Sequence, residues 1–596
     1  MGFRLPWVNK KKENVQFEGT RDHNSEQENE LLEIATHRFG IADSGKVGFD
    51  NEHLNRKWKR FDQIYRSQQW FEVIPDDKSA PVLNFTFAII QSLVPRLTDN
   101  NPEVLLKPRT SPADVQLADY LKTVLDHLWY TNKMQEAKLP EVVIHALKYG
   151  TGLIKTIWDP DMWDGLGEVK YSVVHPMNFY PDPRAYDVPS MDYYFITMPK
   201  PLEYFIRRWP DKGHLVIPDM DWTDSEDLEG RARDTGEETA TLMEYAFRDE
   251  EGNVCIMYYA GHVVLDIIGG KFDEDYDEDT GGNPIYRHNE FPITRVMDYP
   301  SEKEFWGTGE IELIATLQQL INSYEAQIID NTRLMGNAQW LVNKTLSGLD
   351  ESDAWIFDNA PGTTIFSHNG GVDRIPGVPI PQHIPDHLER LIFWVEQILG
   401  VYDVVQGRRP VGVRAASAII ALQEAANIRV REKAKHMGLA IRELSEQAIS
   451  LVLENYEEPR LIRIAGEIVP TTLDVREALQ ERIVDMAEQS GLMQEMMPPE
   501  LEQPEQIPQE TMDQLMDEVK FPEFDVEVNV GPSIPQSQAL LYEQAKEFYQ
   551  LGVIDRTAVL EVTGFPNKEE ILERMNAMEA QEMGGDGQER VGERTI

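Results

Sequence analysis

The sequence has a single cysteine, Cys255, in 596 residues. That excludes an intrachain disulfide framework and any zinc site built from thiolates, and it fits a reducing compartment. Long apolar runs are missing as well. The most apolar window, "VLNFTFAIIQSLV" from Val82, is interrupted by Asn84 and Gln91 and is expected to stop at Pro95, well short of the roughly 20 residues a membrane-spanning helix needs. It reads as a core helix, and no membrane contact is expected. The amino-terminal "MGFRLPWVNKKK" lacks a secretory apolar run and puts Pro6 where a myristoylation motif wants Ser or Thr, so a cytosolic protein is expected. Positive charge is scarce: 57 Lys and Arg face 103 Asp and Glu, for a formal charge of -46. Such a chain repels phosphate, whereas tight DNA binding over a broad surface needs clustered basic side chains.

Chemical signatures are equally sparse. No G-x-x-x-x-G-K-[ST] phosphate loop, H-E-x-x-H or G-x-S-x-G occurs, and the thirteen histidines show no ligand spacing. The run "DEDYDEDTGG" from Asp273 imitates a calcium loop, but Glu278 stands where the sharp turn requires glycine, so a solvated hairpin loop is the better reading. "GTG" at 150 and "GTGEIE" at 307 lack a dinucleotide-binding context and read as helix termini or tight turns. Carboxylates are too numerous to single out a catalytic pair. The expectation is no enzyme activity, no cofactor and no metal site.

What is present is a folded chain, 41% apolar and 9% aromatic, too long for one core. Residues 1–50 read as a flexible arm with one short helix near "NELLEIATHRF". "NRKWKRFDQIYRSQQW" and "PADVQLADYLKTVLDHLWY" have helical periodicity, and "LPEVVIHALKYGTGLIKTIWDP" reads as a helix from Pro140 to Gly150 followed by a strand. From Gly167 to about Tyr299 the pattern turns to short β-rich runs. Two amphipathic helices follow. Ile314, Leu317, Ile321, Tyr324 and Ile328 stripe the first; Leu388, Leu391, Ile392, Val395, Ile398 and Leu399 stripe the second, which is expected to open at Pro385. Between them lies a compact, β-rich tip. A long helix is expected over 415–456, with Met437, Ile441, Leu444, Ala448 and Val452 on its apolar face and a cheap bend at Gly438. A Pro/Glu/Gln-rich linker, the strand "FDVEVNV", three short helices and a disordered tail at 579–596 complete the chain.

The order of these parts resembles the portal proteins of tailed bacteriophages, particularly the longer portals of short-tailed phages. The similarity runs over residues 55–575. It is carried by "VLNFTFAIIQSLVPRLTDNNPEVLLKPR", "HALKYGTG", "VVHPMNFYPDPRAYD", "YPSEKEFWGTGEIELIATLQQLINSYEAQIIDNTRL", "ILGVYDVVQGRRPVGVRAASAIIALQEAANIRVR" and "LIRIAGE". The resemblance implies an α+β, predominantly α-helical portal-type fold assembled as a ring, usually a dodecamer. It places a wing at 51–308, stem helices at 309–336 and 381–403, a clip at 337–380, a tunnel loop at 404–415, a long wing helix at 416–456, wing strands and the linker at 457–535 and a helical crown at 536–578. It further implies a place at one capsid vertex of the virion, with assembly in the host cytoplasm. Terminase, major capsid and scaffolding proteins and a tail adaptor would be partners, and double-stranded DNA a transient one.

On that template the loop "QGRRPVGVR" supplies Gln406, Gly407, Arg408, Arg409, Val411, Gly412, Val413 and Arg414 to the channel. Arg408 and Arg409 could touch passing phosphates or pair with carboxylates of neighbouring copies, and Arg414, near the helix start, is the better candidate for pairing. Asp350, Glu351, Asp353 and Trp355 on the tip could meet terminase and then the adaptor, or only solvate the tip. The residues themselves agree with a conduit in one respect. DNA must pass without sticking, and every phosphate neutralised by a wall lysine adds attraction, so net negative charge suits a channel better than a clamp. The alternative from the residues is a head-tail connector or scaffold-binding structural protein that forms a ring but conducts no DNA. A further one is a nuclease or hydrolase whose carboxylates bind Mg²⁺.

Overall fold

The computed structural model describes residues 24–48, 50–75, 78–99, 101–109, 115–218, 238–272, 285–336, 340–348, 371–374, 379–400, 428–456, 460–464, 467–473, 524–529 and 549. The chain divides into two units, Met1–Gly531 and Pro532–Ile596, and every element named below lies in the first.

Helices and strands are mixed in an α+β arrangement. Helices α1 (Glu26–Gly45), α2 (Leu54–Tyr65) and α3 (Phe85–Thr98) precede strand β1 (Glu103–Pro108), followed by α4 (Val115–Thr131) and α5 (Leu139–Tyr149). A three-stranded antiparallel sheet then takes β2 (Thr151–Asp159) at its centre, between β3 (Glu168–Val174) and β9 (Ile293–Met297). Between β3 and β9 the chain builds a second antiparallel sheet in sequence order. Its strands are β4 (Phe179–Pro181), β5 (Tyr193–Pro201), β6 (Thr239–Arg248), β7 (Val254–Ala260) and β8 (Val263–Ile268), with the short helix α6 (Leu202–Arg208) after β5.

Two-residue alternation explains how that second sheet is buried on both faces. Tyr193, Phe195, Tyr245, Phe247, Cys255 and Met257 point to one side, where Phe195 and Phe247 both stack on Tyr245. Tyr194, Ile196, Ala246 and Ile256 point to the other and join the main core. Cys255 is thus a small buried apolar side chain. The first face is covered by α1. Ser25 and Glu28 cap this helix reciprocally, and Leu32, Ala35, Phe39 and Ala42 pack on the aromatic stack. Here the structure corrects the expected loose arm: α1 is a 20-residue helix with a buried face, because its apolar positions recur at three, four and three.

The helix at Phe85 also runs past its expected stop. Pro95 lies inside α3, which continues to Thr98. Pro95 forfeits one backbone hydrogen bond, but Leu97 and Thr98 beyond it are buried, and that burial holds the last turn. The later part of the chain contributes α7 (Glu310–Gly336), β10 (Trp340–Val342), α8 (Lys344–Ser347), β11 (Val372–Arg374), α9 (His383–Leu399) and α10 (Ile428–Asn455). Strands β12 (Arg460–Ile464) and β13 (Glu467–Leu473) form a hairpin, and β14 (Phe524–Asn529) pairs antiparallel with β1 across more than half the chain. The main core gathers side chains from α2 to α5, both sheets, α7, α9 and α10. Helix α10 runs unbroken through Gly438, which is buried.

Candidate functional site

Helices α7 and α9 pack side by side, and the antiparallel ribbon β10–β11 joins the end of one to the start of the other, so the two run in opposite directions. Ile311, Ile314 and Ile321 of α7 and Leu391, Val395 and Leu399 of α9 are buried. Lower down, Tyr324 meets His387 edge-on at 5.2 Å. Of the expected stripes, Ile314, Leu317, Ile321, Tyr324, Leu388, Leu391, Ile392, Val395 and Leu399 join the core, Ile328 is half-buried outside it and Ile398 is exposed. Helix α9 also starts at His383 rather than Pro385. Away from the shared seam the pair presents Leu313, Leu320, Phe393, Trp394 and Ile398 to solvent, Phe393 at 53% exposure and Trp394 at 42%.

On a further side α7 is strapped by the chain leading into α3. Gln318 Nε2 donates to the Leu83 carbonyl at 2.6 Å, and Gln318 Oε1 accepts from the Phe85 amide at 3.0 Å. Asn322 Oδ1 accepts from the Leu83 amide at 3.0 Å, and Asn322 Nδ2 donates to Gln69. Asp330 Oδ1 accepts from the Ser79 amide at 2.9 Å. Gln318 and Asn322 are fully buried, so these amides do for an extended segment what a partner strand would otherwise do.

The upper end of α7 is seated by backbone packing. Gly150 caps α5 with φ +88°, and the space a Cβ would need there is filled by the backbone of Gly307 and Thr308. Thr151 Oγ1 accepts from the Gly307 amide at 2.9 Å, and the Gly150 carbonyl accepts from the Asp298 amide at 3.1 Å. The two "GTG" sequences are thus one tight joint between α5, β2 and the entry to α7. Beside it Lys433 of α10 reaches Asp298, just past β9, and Glu310, the first residue of α7. Sequence reasoning missed this cluster. The signal was present: Lys433 lies four residues before Met437, on the stripe that is otherwise apolar.

The foot of α10 also returns to α9, where Arg429 Nη1 donates to the Ile398 carbonyl. The chain therefore leaves α9 and re-enters α10 at neighbouring points. The sequence profile of a family described as the phage SU10 portal protein matches residues 166–478, more than half of the chain. The chain belongs to this phage portal family. No curated protein matches it.

The matched span begins just before β3 and ends just beyond β13, so it contains the second sheet, the α7–α9 pair with its ribbon, and α10. Portal proteins are structural components of the phage head, and membership places the chain at the capsid vertex among other head proteins. Gln406, Gly407, Arg408, Arg409, Val411, Gly412, Val413 and Arg414 lie outside the described residues, as do Asp350, Glu351, Asp353 and Trp355, the acidic run at 273 and the helix start at 415. Among the described residues no group of His, Cys, Asp and Glu could hold a metal ion, and no helix is long and apolar enough to cross a membrane.

Proposed function

We propose that copies of this portal protein stand side by side in a closed ring, a dodecamer as is usual for such proteins, through which double-stranded DNA is packaged and later ejected. In this reading α7 and α9 form the stem. Residues 337–380 form a clip on which terminase and then a tail adaptor dock, through Asp350, Glu351, Asp353 and Trp355. Residues 404–415 form a tunnel loop, with Arg408 and Arg409 at the DNA and Arg414 paired near the start of the long helix.

The observation that carries the reading is the apolar surface of the antiparallel pair. A helix pair seated in a core by one face does not keep Phe393, Trp394, Leu313 and Leu320 in water without reason. A ring offers one, since each copy presents two different flanks to its neighbours. The ends of α9 and α10 adjoin, which supports a tunnel loop at 404–415 between them. The formal charge of -46 fits a wall along which phosphate slides. Negative-stain imaging of the purified chain is expected to show closed rings with a central hole wide enough for a duplex. Monomers, open filaments or rings without such a hole would overturn the proposal.

A further inference from the structure

The cluster at the head of α7 has an unbalanced charge. Lys433 Nζ contacts Asp298 Oδ1, lies 2.9 Å from Glu310 Oε1 and sits 3.6 Å above the Tyr299 ring. Tyr299 Oη donates to Glu310 Oε1 at 3.3 Å. The three charged side chains are 5% exposed or less. One ammonium therefore faces two carboxylates away from water, and the second oxygen of each, Asp298 Oδ2 and Glu310 Oε2, is buried with no hydrogen-bond partner. The charged and titratable groups facing Asp298 are Lys433 from α10, Glu310 from α7 and Tyr299 next along the chain. The backbone of Gly150 approaches it from the α5 side.

A surplus buried charge with two idle acceptor oxygens is costly, and taking up a proton is the least expensive relief. We infer that this cluster is a proton-operated latch: a proton on Asp298 leaves Lys433 balanced by Glu310 alone and locks the long helix onto the start of α7, and its loss loosens that joint. Burial, with the charge of Glu310 adding to it, pushes Asp298 up to about 7, against the pull of Lys433. A carboxyl raised in the closed joint binds more protons closed than open. Closure is therefore favoured towards acid and weakens as pH rises through the range up to about 7. The inference concerns the joint between α10, β9 and α7 and stands whether or not the ring conducts DNA.

Hydrogen exchange of the full-length protein, read by mass spectrometry and corrected for the intrinsic pH dependence of exchange, tests it. Between about pH 5.5 and about pH 7.5, protection of residues 428–440 is expected to fall on the order of tenfold, while residues 193–198 in the second sheet keep theirs. Asp298→Asn or Glu310→Gln leaves one cation facing one carboxylate, and in either variant the pH dependence should vanish. Protection at 428–440 that is flat with pH in the unaltered protein overturns the latch. So does an unchanged slope in whichever variant folds.

Discussion

At the scale of single residues, burial sets the response of this protein to acid. His175 and His145 meet edge-on at 4.8 Å beneath α5. His175 Nδ1 accepts from the Met177 amide at 3.2 Å, which requires that nitrogen to be unprotonated. Burial, with Lys148 and Lys46 adding to it, pushes His175 down to about 4, and His145 is lowered in the same way by burial and by its partner. A base depressed in the fold binds fewer protons folded than unfolded. Stability is therefore fully present above about 6.5 and is lost as pH falls towards 4, with about 2 kcal/mol at stake for His175 near pH 5. Asn can take over the acceptor role at this capping position without titrating. His175→Asn should accordingly reduce the fall in melting temperature between about pH 7 and about pH 5, and thermal scans at the two values check it. Asp298 acts with the opposite sign in this range, so Asp298→Asn should steepen the same fall.

Elements show how far the sequence could be read. The helices on either side of the ribbon, the strand after Gly150 and the strand at Phe524 were legible because a period of 3.6 or 2 in apolar residues is itself the burial pattern. The hold on those helices was not legible, since it depends on polar residues whose partners lie far away in the chain. Gln318 and Asn322 look like ordinary surface residues of a helix, yet they carry the strap from Leu83 and Phe85. Trp394 and Ile398 look like core and are exposed in the single chain, as a surface awaiting a neighbour would be. The proposed contact residues at 350–355 and 406–414 came from family resemblance, because short Asp- and Arg-bearing loops have no period to read. One element-scale consequence follows from the strap. Gln318→Leu leaves the Phe85 amide only its turn bond to the Leu83 carbonyl and takes a donor away from that carbonyl and from Asn322 Oδ1, which should cost about 1–2 kcal/mol. The exposed neighbouring change Gln319→Leu should stay within about 0.5 kcal/mol. Denaturant midpoints of the two variants make the comparison.

For the whole molecule, the proposed ring rests on a balance between apolar contact and charge. Every copy brings a formal charge of -46 into the assembly, and that repulsion opposes closure. Burial of Phe393 and Trp394 against a neighbour would offset it by roughly 25 cal/mol for each Å² removed from water. Phe393→Glu combined with Trp394→Glu leaves the buried seam of α7 and α9 in place and, within one chain, gives up the edge-on contact of Trp394 with His387 at 6.2 Å. The melting temperature of the isolated protomer should therefore fall only modestly. In the ring the same two carboxylates would be buried without partners at every interface, a cost of several kcal/mol each time. Sedimentation should find the variant as monomers or short open oligomers at concentrations where the unaltered chain forms rings. Added salt should restore it poorly, since screening weakens the long-range repulsion but does not supply partners for a buried carboxylate. Rings that persist in the variant at the same concentration would place the protomer contact on another face.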